Sequence, residues 1–237
     1  MSNIRLFHPE NIIENTTRLL SKEHTHYVVN VMRLKRGSNL NFFNKNGEWR
    51  SEIIFLDKDR VEVKFLKKFR DSSNSLNIEL AICLVKKSPM ENILQKATEL
   101  GVTKIVPIIS ERTEVKELNY ERAKKITIEA TEQSNRLNPP EISKLTKLKE
   151  FLNNVDDSTK LLFADVNSKD NLKKDLLDRA NSLSVLVGPE GDFSPTEREL
   201  ILAKTNVVPF TISRNILRSD TAVISAISLV NFINNFH

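Results

Sequence analysis

Cysteine is nearly missing from this chain. Cys83 stands alone among 237 residues, so no internal disulfide can form. It lies in an apolar run, where a lone thiol reads as a small buried hydrophobe. Four scattered histidines and one cysteine give no zinc-ligand spacing, so no metal is expected. A chain without a disulfide framework suits a reducing, cytoplasmic setting. Long apolar runs are missing too. None approaches the roughly 20 residues of a membrane span, and no membrane partner is expected. The opening "MSNIRLFHPE" lacks the basic-then-apolar order of a signal peptide. No repeat or low-complexity tract occurs. Glycine is scarce at five residues, yet Gly188 and Gly191 sit three apart in "LVGPEGDFSPTERE", Leu186–Glu199. Neither the dinucleotide-binding glycine pattern nor the nucleotide-triphosphatase loop is present.

What is present fits two soluble domains, at roughly 100–200 residues per domain. The net charge of +5 is unevenly placed. Residues 1–71 hold 14 Lys/Arg and 9 Asp/Glu, which leaves 22 of each for residues 72–237. The first third therefore carries the whole excess. It reads either as a module that holds a polyanion or as a solvated, lysine-rich surface.

The first third predicts a small antiparallel β-module. "SKEHTHYVVNVM", Ser21–Met32, reads as a short helix. "NLNFFN", "WRSEIIFL" and "RVEVKFL" read as strands, with turns at Gly37 and Asn44–Gly47. Polar "DSSNS", Asp71–Ser75, reads as the linker. Beyond it strands and helices alternate, which implies a mostly parallel sheet with helices on both faces. Ile78–Val85 is apolar throughout, as a strand covered on both faces should be. Ser88, Pro89 and Glu91 predict a capped helix start, and Gly101 its end. A helix is expected from Asn119 to Gln133, then "NRLNPP" as a loop. "KLLFAD", "SVLVG" and "VVPFTI" are further short strands. The last helix, "TAVISAISLVNFINNF", is apolar nearly all round, which predicts cover on more than one face and hence a homodimer.

Two late loops carry the chemistry. "LSVLV" enters Leu186–Glu199, where Ser194, Pro195 and Glu197 form a capping box with proline at the first helical position. "VVPFTI" enters "SRNILRSD", before a helix near Asp220–Thr221. In a parallel sheet both loops leave the same edge, where α/β proteins bind ligands. Each alone could be an ordinary turn; together they favour a site. The first loop has no lysine and carries Glu190 and Asp192, which suits an uncharged or cationic ligand better than a phosphate. S-adenosylmethionine is one such ligand.

"LVGPEGDFSPTERE" and "ISRNILRSDTA" resemble the paired signatures of the RsmE family of bacterial ribosomal RNA methyltransferases, in the SPOUT superfamily. The family pattern is roughly G-P-E-G-G-F-S-x-x-E, then L-G-x-R-I-L-R-x-E-T-A. "KKSPMENILQKATELGVTKIVPIISERT", "EATEQSNR" and "HYVVNVMRLKRGSNLNFF" are similar to further family segments, in order along nearly the whole chain. The resemblance implies a PUA-like RNA-binding β-barrel over residues 1–71. Over residues 76–237 it implies a SPOUT methyltransferase domain, a parallel sheet with a C-terminal trefoil knot. It implies S-adenosylmethionine-dependent methylation of N3 of a uridine in 16S ribosomal RNA, within the small subunit. Two alternatives stand beside it: a ribose 2′-O-methyltransferase of tRNA or rRNA, or a non-catalytic RNA-binding assembly factor.

By the same resemblance three loops hold the cofactor. They supply Phe163 and Ala164; Val187, Gly188, Pro189, Glu190 and Gly191; and Ile212, Ser213, Ile216, Leu217, Arg218, Thr221 and Ala222. Arg218 and Arg136 are the catalytic candidates. Glu190 reads as bracing its loop through backbone N–H groups. Arg5, Arg33, Lys35 and Arg36 are the RNA-contact candidates; His26 is packed or a contact. Asp192 stands where the family has Gly. Ser213 replaces the Gly of L-G, Asn215 the first Arg of R-I-L-R, and Asp220 the Glu. Ser213 is expected to narrow backbone freedom, and Asp220 to serve as a helix N-cap.

Overall fold

In the computed structural model, residues 4–72, 76–176 and 182–235 are described. Residues 73–75 of the expected linker lie outside them. The chain forms two compact units. One comprises residues 1–74 with Thr131–Asn138, and the other residues 75–130 with 139–237.

The first unit holds β1 (Arg5–Phe7), β2 (Thr17–Leu19), α1 (Lys22–His26), β3 (Asn39–Asn44), β4 (Gly47–Leu56) and β5 (Val61–Asp71). They form a five-stranded sheet in the order β1-β3-β4-β5-β2. The meander β3-β4-β5 is antiparallel, as its short turns require. The sheet is not antiparallel throughout, because β1 pairs parallel with β3. The long excursion through β2 and α1 gives the chain room for that crossover. The expected helix is present in two windings. The Ser21 hydroxyl caps α1 by accepting from His24 N at 3.2 Å, and Tyr27–Val31 continues as a π-helix. Phe42, Trp49, Ile53, Val63 and Phe65 form the core with Val28. The rings of Phe42 and Phe65 meet edge to face at 5.5 Å.

The second unit holds β6 (Asn77–Cys83), α2 (Lys87–Glu99), β7 (Lys104–Ile109), α3 (Tyr120–Gln133), β8 (Glu141–Ile142), β9 (Thr146–Lys147), α4 (Leu148–Asn154), β10 (Lys160–Ala164), β11 (Ser182–Val187), α5 (Pro195–Leu202), β12 (Val207–Phe210) and α6 (Ser219–Asn235). The last three residues of α3 count with the first unit. Every pairing in its seven-stranded sheet is parallel, in the order β12-β10-β11-β6-β7-β8, with β9 also on β7.

Strand β6 shows why its sequence is a continuous apolar run. Leu80 and Ile82 point into a core shared with α2, α3 and α6. Ala81 and Cys83 point the other way, into a core shared with α4 and α5. All four are fully buried. Complete burial of each large aliphatic side chain contributes about 1.5–3 kcal/mol. Burial also pushes the Cys83 thiol up to about 12, so it is protonated and inert.

Helix α2 departs from its expected start. Lys86, not Ser88, occupies the cap position, and no side chain caps it. Glu91 instead pairs with Arg122. Its end is as expected: Gly101 takes φ +96, with Gly101 N donating to Thr98 O and Val102 N to Ala97 O. That is the paired closure of a glycine-terminated helix. Among the described residues no helix is long and apolar enough to cross a membrane.

Candidate functional site

The register of the second sheet builds the site. Ala164 at the end of β10 is level with Val187 of β11 and Phe210 of β12. Three loops therefore leave one edge side by side: Asp165 onward, Gly188–Ser194 and Thr211–Arg218. These are the three segments expected to hold the cofactor.

The Gly188–Ser194 loop is fixed from several sides. Asp192 N donates to Pro189 O at 3.0 Å, closing a turn. The Ser194–Glu197 capping box forms as expected. Glu197, buried, accepts from Ser194 N at 3.1 Å and also from Glu111 N at 2.8 Å. Arg112 donates to Gly191 O at 2.9 Å. The segment after β7 thus braces the segment after β11. One expected role in this loop changes. Glu190 is exposed, and its carboxylate accepts no hydrogen bond among the described residues, so it is not the brace. Neither Gly188 nor Gly191 has a left-handed φ. At Gly188 an added Cβ would approach the Phe193 ring to 3.1 Å. At Gly191 it would meet nothing closer than the Arg112 side chain at 3.7 Å, an ordinary contact.

The left-handed residue is Asp192, at φ 58. Here the family pattern has glycine, and the geometry explains both. Asp tolerates this region better than most residues because its short side chain bonds locally. The Asp192 carboxylate accepts from Phe193 N at 2.7 Å.

The segment after β10 is held by an ion pair. Asp165 is almost wholly buried and receives Arg198 of α5 in a fork: Nη2 at 2.8 Å and Nε at 3.1 Å, both to Oδ2. Asp165 N also donates to Phe210 O at 3.0 Å. Phe163 is interior, its ring packed edge-on to Phe193 at 5.7 Å. Any part it takes in a site at this edge is through its backbone.

In the third loop Ser213 has no left-handed φ. The loop does not need the glycine of the family pattern. The Ser213 hydroxyl accepts from Asn215 N at 3.0 Å and stiffens the turn. Ile216 is 92% exposed, and Asn215 and Arg218 are exposed beside it. Leu217 and Ala222 are half-buried, and Thr221 is exposed. Asp220 lies inside α6 rather than capping it; its carboxylate accepts from Thr221 N and Asn92. Arg218 makes no ion pair with it among the described residues.

Arg136 belongs to the first unit, and burial lowers its guanidinium to about 10. Of the RNA-contact candidates, Arg33, Lys35 and Arg36 are exposed, as is His26. Arg5 is not. Its side chain is 8% exposed and pairs with the buried Glu48 at 2.9 Å. It also donates to the carbonyls of Glu132 and Arg136 and lies 4.2 Å from the Phe43 ring centre. It ties Thr131–Asn138 to β1 and β4. Arg112, Asp165 and Arg198 were not singled out from sequence. Their partners lie 33 to 79 residues away, beyond any local pattern.

The RNA methyltransferase domain family matches residues 71–231, and the RNA methyltransferase PUA domain family matches residues 20–66. A ribosomal RNA small subunit methyltransferase E from Rickettsia conorii is 33% identical, covering 98% of this chain and 96% of its own. A ribosomal RNA small subunit methyltransferase E from Neisseria gonorrhoeae, solved bound to S-adenosyl methionine, is 28% identical with a TM-score of 0.89, covering 98% of both chains. A protein from Legionella pneumophila, solved in complex with the bound cofactor SAM, is 29% identical with a TM-score of 0.85 over 98% of both chains.

Proposed function

Because the chain belongs to the ribosomal RNA small subunit methyltransferase E family, we propose that it methylates N3 of one uridine in 16S ribosomal RNA, using S-adenosylmethionine. The observation that carries this reading is the level end of β10, β11 and β12, with their three braced loops at one edge. That edge fits the cofactor. Its Gly188–Ser194 loop offers backbone around Gly188 and Gly191 and no lysine for a phosphate. At Gly191 the missing side chain leaves the backbone bare beside the Arg112 side chain, where a ligand can lie close.

S-adenosylmethionine supplies an electrophilic methyl group on a cationic sulfonium. The chain supplies position and charge. Val187–Gly191 and Ile212–Ala222 line the cofactor through backbone groups. Arg112, Asp165, Arg198 and Glu197 hold those loops in place before the ligand arrives, so that little order is lost on binding. N3 of uridine is a poor nucleophile while it keeps its proton. The exposed guanidinium of Arg218, at the start of α6, favours the anionic base or holds an adjacent phosphate. Arg136 remains a cation at neutral pH and serves the RNA from the first unit.

In this reading residues 1–71 are a PUA-like barrel that holds RNA, and residues 76–237 are the knotted SPOUT catalytic domain. The protein works in the cytoplasm on the small subunit, as a homodimer through α6. Phe232, 55% exposed on that helix, supports such a contact. A monomeric mass by light scattering would overturn the dimer.

The variant that tests the cofactor site is Gly191→Val. Its Cβ makes only an ordinary contact with the Arg112 side chain at 3.7 Å, so the fold survives while the side chain intrudes on the ligand. Cofactor titration should show at least a tenfold loss, about 1.4 kcal/mol, with an unchanged melting temperature. Wild-type affinity in the folded variant would place the cofactor elsewhere.

A further inference from the structure

The first unit contains a cleft of about 470 Å³ whose lining lies entirely within that unit. Tyr27, Met32 and Phe69 supply apolar surface; Arg70, Gln133 and Asn135 supply donors and acceptors. Beneath them Glu48, buried, is neutralised by Arg5 and faced by Arg70 at 3.5 Å. Arg70 is itself oriented, donating to the backbone and side-chain oxygens of Asn135 at 2.8 and 3.0 Å. The walls are therefore rigid. Phe69 is 46% exposed. A large aromatic left half in water beside fixed amide and guanidinium groups suits a flat ligand with a polar edge.

A second observation is independent of the cleft. Arg50 of β4 and Lys67 of β5 stand directly opposite each other, both exposed. Like charges in this position destabilise a sheet. Neighbouring pairs in the same ladder are complementary: Glu52 faces Lys64, and Glu48 faces Arg70. Lys67 lies two residues before Phe69, which sits at a β-bulge where β5 carries one residue more than β4, so the two positions are about 7 Å apart along the strand. A phosphate bound between Arg50 and Lys67 would relieve their repulsion, and its nucleotide would be within reach of Phe69.

We infer that this cleft is a binding site for one unpaired RNA nucleotide, its base against Phe69 and its backbone phosphate at Arg50 and Lys67. The site rests on the proposed RNA substrate and adds a base-accepting position away from the methylated uridine. Recognition of single-stranded RNA commonly uses this pairing of aromatic faces with polar edges. The exposed Arg33, Lys35 and Arg36 then act as long-range attraction rather than as the seat of binding.

The test uses the full chain with a single-stranded RNA oligonucleotide carrying 2-aminopurine, a base whose fluorescence is quenched on stacking. Wild type should quench it. Phe69→Ala should lose the quenching and about tenfold in affinity, the value of one stacked base, with an unchanged salt slope. Arg50→Ala with Lys67→Ala should keep the quenching, weaken binding, and lower the salt slope by about one phosphate contact. Calorimetric affinity for S-adenosylmethionine should be unchanged in all variants. Undiminished RNA affinity and quenching in Phe69→Ala would overturn the nucleotide site. If such a variant still methylates ribosomal RNA, the proposed function stands without the site. If wild type neither binds nor methylates RNA, the function falls first. Equal binding of a duplex would also overturn it, because paired bases cannot enter the cleft.

Discussion

Asp192 holds a left-handed backbone at φ 58 in the Gly188–Ser194 loop. Its carboxylate compensates by accepting the Phe193 N–H. Asp192→Ala keeps the conformational cost and removes the bond, and should lose about 0.5–1.5 kcal/mol. Asp192→Gly should cost less than alanine, since glycine needs no such help. Urea unfolding of both variants decides this; alanine as stable as wild type would contradict it. Arg5 gives a second residue-scale prediction. Removing it leaves Glu48 buried without its closest partner, so Arg5→Ala should destabilise the first unit by about 3–5 kcal/mol. Arg36→Ala, at an exposed site, should leave the melt unchanged and lower only the salt dependence of RNA binding. A normal melt for Arg5→Ala would refute the clamp. Sequence alone put both arginines in one class. A basic residue near other basic residues looks the same whether it faces solvent or a buried carboxylate 43 positions away.

Helix starts show what local pattern can and cannot specify. Ser194, Pro195 and Glu197 were legible because every partner lies within three residues, and the box forms as read. Ser88, Pro89 and Glu91 carry the same signature, yet Lys86 takes the cap and Glu91 turns to Arg122. The competing partner comes from α3, which no local window contains. Ser194→Ala should therefore cost about 1 kcal/mol, and Ser88→Ala only a few tenths. Thermal melts of the two single variants check this, and equal losses would sink it. Strands followed the same rule. The long runs β3, β4, β5 and β6 were visible through alternation or continuous apolarity. β1 and β2, three residues each, are too short to show a period. The parallel partner of β1 was hidden for the same reason. The three loops expected to hold the cofactor were singled out by their resemblance, and the register of β10, β11 and β12 brings them to one edge. Their mutual braces, Arg112 to Gly191 and Arg198 to Asp165, required the fold.

At the scale of the whole molecule, charge and pH act on the first unit. Burial holds the His8 imidazole below its usual value, with Arg18 adding to the effect. Burial does the same at His24, where the Glu23 charge opposes it and His8 adds to it. Both rings sit against Phe42 in the core of that unit. A histidine lowered in the folded state takes up its proton first in the unfolded chain. The stability it contributes is present above about pH 6.5 and is lost as pH falls below it. Melting of the first unit should therefore drop from pH 7.5 to 5.5, and His8→Gln with His24→Gln should flatten the drop. An undiminished slope in the double variant would assign it to other groups. Ribosomal RNA from a strain lacking the protein, incubated with the purified chain and S-adenosylmethionine, can be digested and mapped by mass spectrometry. One new 3-methyluridine is expected in 16S RNA, absent when Gly191→Val replaces wild type. A methyl group on a ribose 2′-oxygen, or no incorporation at all, would contradict it.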